Sequence, residues 1–331
     1  MKELYLPTGN EYVSLPDISE RTATVGSFSC LHMGAKGLVE FHGADEPLIA
    51  PFASGAELTD FAWRRLGHWV PEFTARAGAL IVRGTILAPV GERGFIFRLS
   101  LENPTDEAAE AEYGLRGVWG GARVCINESR GIRGEMGVTD SLWSSGPVFE
   151  LSCALPFLAF APMCDREISS AHGEGQGGTA YCLTRRATLG PGESDSACFF
   201  WGLGYEEVAA ATSAKELLRR GWDYELKKTL AYLAAREWRS GDEQLDKTYN
   251  LNLFFCIFYS TGVTIDTEEL VLVTSRSPRY YVSAAYWDRD SLFWSFPGIL
   301  DADAVLAREM LLYAFGRQGR NDSFETSVRK E

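Results

Sequence analysis

Cys198-Phe199-Phe200-Trp201-Gly202-Leu203 is an apolar run of strand length. A few residues later, Thr212-Ser213-Ala214-Lys215-Glu216 opens a segment in which Leu218, Trp222, Leu226, Leu230 and Leu233 recur at spacings of four and three. The first piece reads as a buried β-strand and the second as an amphipathic α-helix. This change of period near Val208 divides the chain into a β part and an α part, and that division decides the fold. Thr212 or Ser213 is the expected N-cap, with Glu216 placed after Ser213 as in a capping box, and a break is expected near Gly221. Charged residues fill the opposite helix face, so the helix should lie on one domain and lead to the next.

Upstream of the switch, short strand patterns recur between turn signals. Ala79 to Ile86 is β-rich, and Phe95-Ile96-Phe97-Arg98-Leu99-Ser100-Leu101 places Phe95, Phe97, Leu99 and Leu101 on one face. Asn103-Pro104-Thr105-Asp106-Glu107 and Gly190-Pro191-Gly192-Glu193 are turns, Ala111 to Val118 is the expected returning strand, and Phe149 to Phe160 and Ala180 to Leu189 are further strands. The absence of alternating helical segments points to an antiparallel β-sandwich. Trp63, Trp69, Trp119 and Trp143 are assigned to its core.

Downstream, Ser240-Gly241-Asp242 precedes a second helix with apolar positions Leu245, Tyr249, Leu253, Phe254, Ile257 and Phe258. Residues 261–287 form a long connection with strand character at Glu269–Val273; long ordered connections are often functional. A helix from Ser291 should be ended or kinked by Pro297. Asp301 or Asp303 caps a further helix whose inward face is Val305, Leu306, Met310, Leu311, Ala314 and Phe315, ending at Gly316 and Gly319. The expected divisions are a sandwich domain (1–207), a helical linker (208–241) and a helical domain (242–331).

The 331 residues carry a net charge of -13, which disfavours nucleic acid and anionic membranes as partners and leaves a neutral ligand or a protein. Apolar runs are too short to span a membrane. Seven cysteines, without a Cys-x-x-Cys pair, suit reduced thiols in a cytoplasmic protein, and the N-terminal residues contain no signal-like apolar core. His32, His42, His68 and His172 lack metal-ligand spacing, so no metal is expected. Gly173-Glu174-Gly175-Gln176-Gly177-Gly178 matches a dinucleotide fingerprint in letters only. Without a following helix it reads as a hairpin loop, and no cofactor is expected.

Chemistry concentrates in Tyr286-Trp287-Asp288-Arg289-Asp290-Ser291. A guanidinium fork, acceptor-only carboxylates and two flat aromatic faces suit a sugar, whose hydroxyls need donors and acceptors and whose C–H faces need a platform. Tyr286, Trp287, Arg289 and Asp290 are the candidate binding residues, with Arg276, Arg279, Tyr280 and Tyr281 as further candidates for the same cleft. Asp290 also suits an N-cap for a helix starting at Ser291, and Asp288 a solvated or capping role.

The order of sandwich, bridging helix, helix, long loop, Trp-x-Arg-Asp and helix resembles the glucoamylase-like glycosidases. Their catalytic domain is an (α/α) toroid of six helical hairpins, often preceded by a β-sandwich. Trp287-Asp288-Arg289-Asp290 is similar to their Trp-x-Arg-Asp motif, and the resemblance implies that Arg289 and Asp290 bind a non-reducing-end sugar. The implied fold is an antiparallel β-sandwich followed by an incomplete (α/α) toroid. The implied function is inverting, exo-acting hydrolysis of a neutral α-linked oligosaccharide, glucosidase-like. The alternative is a non-catalytic carbohydrate-binding or interaction protein derived from such an enzyme. Inversion needs two carboxyl groups roughly 6.5–9.5 Å apart. In the family these lie in later loops, so the catalytic residues are unassigned and the chain is expected to be an N-terminal fragment. Helical faces such as Leu253, Phe254, Phe258 and Leu311 are then expected to be uncovered and prone to self-association.

Overall fold

The computed structural model describes residues 4–320 except 127, 133, 145, 154–157 and 281, without the side chains of 126, 128–131, 134, 135, 153 and 318–320. Among the described residues the β part forms three antiparallel sheets, and a small two-stranded pair lies in the downstream part. The largest sheet has eight strands, in the order Gly134–Ser141, Gly146–Cys153, Leu158–Cys164, Ser194–Gly204, Gly94–Glu102, Leu80–Leu87, Val70–Ala77 and Leu58–Leu66. Facing it is a layer made of a six-stranded sheet (Thr8–Gly9, Val13–Leu15, Ser27–His32, Gly37–His42, Gly121–Ile126, Glu128–Gly131) and a four-stranded sheet (Ser169–Gly175, Gly178–Leu189, Ala109–Trp119, Ala50–Ala53). Aromatic rings join the two layers: Phe28 meets Phe95 at 5.4 Å, Phe41 meets Phe160 at 5.4 Å, and Tyr181 meets Trp201 at 5.9 Å between centroids.

The central strands of the large sheet are buried on both faces. Phe95, Phe97, Leu99 and Leu101 enter the inter-sheet core as the alternation predicts, with Phe199, Trp201 and Leu203 beside them. Ile96, Cys198 and Phe200, one position out of phase, face the helices with Trp69, Val70 and Leu87. Ala109–Trp119 does not return beside Gly94–Glu102. It crosses to the other layer and pairs with Gly178–Leu189. The turn that directs this crossing is built on Asn103, whose Nδ2 donates to the carbonyls of Glu107 (2.8 Å) and Leu189 (3.0 Å). Gly173–Gly178 is a hairpin between Ser169–Gly175 and Gly178–Leu189. Trp69 and Trp119 are buried and Trp63 is half-buried, but Trp143 is 56% exposed beside a hairpin turn and is not core.

Helix α1 (Glu207–Arg220) starts earlier than the capping-box reading places it, so Thr212 and Ser213 are interior residues. The Glu207 N–H is taken by Glu150 Oε1 at 3.1 Å, a cap supplied by the sheet rather than by the local sequence. Gly202 permits the close approach of this helix, since a Cβ there would lie 2.2 Å from the Ala214 nitrogen. The break at Gly221 is real: at φ 79° it separates α1 from α2 (Trp222–Ala234). Helix α3 (Glu243–Tyr259) is capped by Asp242, which accepts from Gln244 N and Leu245 N.

Leu253, Phe254 and Phe258 are not uncovered. They pack under the sheet and α2, with Phe258 stacked on Trp69 at 5.5 Å. Leu311 is half-buried. Arg289–Ser295 is π-helical and runs into α4 (Phe296–Ala302), with Pro297 in the first turn of α4. Pro297 has no N–H for the Phe293 carbonyl, and the ladder widens there, Phe296 N bonding Ser291 O. Asp303 caps α5 (Ala304–Arg320), accepting from Leu306 N at 2.9 Å. Helix α5 continues through Gly316 and Gly319 and buries Ala307, Met310 and Ala314, while Val305 and Phe315 point outward.

Candidate functional site

Tyr286–Asp290 leaves a loop whose neck is closed by hydrogen bonds. Thr274 N and Oγ1 both donate to the Ala285 carbonyl at 2.7 Å, and Ser275 N donates to Ser283 O at 2.9 Å. The base of the connection is a strand pair, Thr261–Val263 with Leu270–Leu272, so the expected strand character is present.

At the neck, Tyr286 is half-buried against Tyr313, edge to face at 5.7 Å, and its hydroxyl donates to Asp288 Oδ1. Burial first, then that bond to a carboxylate, pushes the Tyr286 phenol well above its ordinary pKa. Asp288 is thus held locally. Asp290 is not an N-cap, because helical geometry begins before it and Ser291 N already donates to Trp287 O at 2.9 Å.

Trp287 is half-buried, and the Arg289 guanidinium lies 5.9 Å from its ring centroid. Arg289 Nη2 is 3.4 Å from Asp290 Oδ2, with the Arg289 side chain 70% exposed and Asp290 only 15%. The structure therefore brings together an indole face, a guanidinium with donors to spare and a largely covered carboxylate. Phe293 and Trp294 follow on the outer face of the π-helix, packed edge to face at 5.2 Å and exposed at 69% and 67%. In the sequence they belong to an apolar run, Leu292-Phe293-Trp294-Ser295-Phe296.

Arg276 and Arg279 lie elsewhere. Arg276 is fully buried. Its Nη1 donates to Asn10 O (2.5 Å) and Phe258 O (3.0 Å), tying the sandwich to the C-terminal turn of α3. Burial lowers its pKa to about 10, and its Nε and Nη2 meet no acceptor among the described residues. It is a clamp, not a cleft residue. Arg279 reaches across to Asp17 and Glu40 on the six-stranded sheet. Tyr280 is part-exposed, and Tyr281 lies outside the described residues.

No family model and no curated protein matches the chain. Solved structures do match in fold. A putative kojibiose phosphorylase from human microbiome aligns with TM-score 0.59 and 12% identity, over 94% of this chain and 46% of that one. A bacterial glucoamylase complexed with acarbose aligns with TM-score 0.51 and 8% identity, over 96% of this chain and 51% of that one. At these identities the likeness is one of fold alone, a β-sandwich followed by helices. The chain spans about half the length of these solved structures, and its described residues contribute five α-helices.

Proposed function

We propose that the chain belongs to an exo-acting, inverting glycosidase of glucosidase-like specificity. In this reading Tyr286, Trp287, Arg289 and Asp290 bind the non-reducing-end sugar of a neutral α-linked oligosaccharide. The observation that carries the reading is the Trp287–Arg289–Asp290 arrangement: an aromatic face, a guanidinium 5.9 Å from its centroid and an adjacent carboxylate. These groups supply what a pyranose ring asks for, and the likeness in fold to carbohydrate-active enzymes supports the class. General acid and base remain unassigned, so the chain's own part is recognition. The exposed Phe293–Trp294 pair favours a second reading, a carbohydrate-binding or interaction protein of the same fold. A cytoplasmic setting is part of the proposal, on the odd number of cysteines without a Cys-x-x-Cys pair.

The test is titration of the 331-residue chain with maltose by ligand-observed NMR, comparing wild type with Arg289→Lys and Asp290→Asn. Lys loses the planar fork. A hydrogen bond to a charged group contributes about 1.5–3 kcal/mol, so weakening of roughly ten- to a hundredfold is expected. Unchanged affinity in both variants removes the site.

A further inference from the structure

A cleft of about 600 Å³ lies where the loop around Arg279 crosses the six-stranded sheet. Its lining includes Tyr5, Asp17, His42, Glu46, Arg123 and Arg279. Beneath it, Glu40 is completely buried and Asp17 nearly so. Arg123 Nε donates to Glu40 Oε2, while Arg279 Nη2 binds Asp17 and lies 3.0 Å from Glu40 Oε1. Ser27 Oγ donates to Asp17 at 2.9 Å. Two carboxylates and two guanidiniums balance to zero, and the carboxylates hold both forks from behind. An arginine carries five N–H donors. The pairing uses Nε of Arg123 and one terminal nitrogen of Arg279, and both side chains remain part-exposed in the cleft. The rim adds acceptors, Asp45 and Glu46, both exposed. Tyr5, also exposed, stands at the mouth with a flat ring.

With the rim carboxylates the cleft holds four acidic groups and two guanidiniums, and the interleaving of the two signs selects the ligand. An anion reaching the guanidiniums passes the Asp45 and Glu46 carboxylates, and a cation reaching those carboxylates faces Arg123 and Arg279. A neutral polyhydroxy molecule uses both, taking N–H donors on one side, offering O–H to carboxylates on the other and laying a C–H face on the tyrosine. The volume is in the range of small-molecule pockets. We propose that this cleft is a second neutral-sugar site, formed jointly by the sandwich and the long connection. It does not rest on the reading of Tyr286–Asp290.

The experiment uses the 331-residue protein carrying Asp290→Asn, which removes the other proposed site. Maltose and cellobiose are titrated by saturation-transfer NMR, with inorganic phosphate in parallel. Saturable binding of at least one disaccharide is expected, weakened tenfold or more by Arg123→Gln and severalfold by Glu46→Gln or Tyr5→Ala. The last two variants strand no buried charge, so they report even if Arg123→Gln fails to fold, and thermal melts confirm their structure. No saturable disaccharide binding in the Asp290→Asn protein overturns the proposal, as does binding indifferent to Glu46→Gln and Tyr5→Ala. Phosphate binding that displaces the sugar overturns the neutral class.

Discussion

Phe258→Ala distinguishes a covered α3 face from an open one. The ring is 2% exposed and packs between Trp69 at 5.5 Å and Tyr232 at 5.9 Å, in the core shared by the large sheet and the helices. Truncating a buried phenylalanine loses its transfer free energy and leaves a cavity, together about 3–5 kcal/mol. The stacked indole makes the upper half of that range the expectation, because an aromatic pair adds about 0.5–1.5 kcal/mol beyond area. Phe315, on the outer face of α5 and 66% exposed, is the control: Phe315→Ser should change stability by no more than about 0.5 kcal/mol. Urea titration followed by tryptophan fluorescence reads both, with Trp69 beside the lesion. The midpoint should fall in Phe258→Ala at an unchanged slope. A loss under about 1 kcal/mol in Phe258→Ala, or an equal loss in Phe315→Ser, would refute the assignment of the covered face.

Asp303→Ala removes the α5 cap and the partner of Arg236, whose Nη2 and Nε lie 2.6 and 2.7 Å from Asp303 Oδ2. A loss of about 2–4 kcal/mol in chemical denaturation is expected, with Asp303→Asn recovering the cap contribution of about 1 kcal/mol. Acid should weaken the protein through His32. Burial lowers its pKa below 6.5 against the smaller opposing pull of Asp266, and its Nδ1 already accepts the Ala35 N–H at 3.1 Å. The unfolded chain therefore binds the proton more readily, and stability falls as pH drops from 6.5 through the folded value. His32→Asn should flatten the denaturation midpoint over that window, and an unchanged slope would dismiss the role. Replacing Phe293, Trp294 and Phe315 by Ser should reduce any self-association seen by sedimentation velocity, since these are exposed apolar groups of the helical surface.

Much of the architecture follows from periodicity, and its failures have physical causes. Alternation in Phe95–Leu101 identifies the inter-sheet face, but it is silent on whether Ile96 meets water or helices. That depends on what packs outside the sheet. The start of α1 is misplaced because its cap, Glu150, is remote in sequence, whereas Asp242 and Asp303 cap locally and are readable. Helix α5 has apolar residues on two faces, so its period alone does not separate the Met310 stripe from Val305 and Phe315. The Asp17–Glu40–Arg123–Arg279 cluster leaves no local signature, its members coming from three strand regions and a loop far down the chain.

The candidate site was legible as a list of groups but not as an arrangement. Successive residues of a helix project in different directions, so Arg289 and Asp290, adjacent in the motif, need not face the same way. Arg289 turns to solvent over Trp287 while Asp290 is drawn under cover. The loop before them adds a second separation. Thr274 and Ser275 bond Ala285 and Ser283, which closes the neck. Arg279 is thereby delivered to the carboxylates of the sandwich, and Tyr286 begins a different surface at the neck itself. One stretch rich in arginine and aromatics, which in sequence suggests a single cleft, is divided by those few backbone bonds between two surfaces.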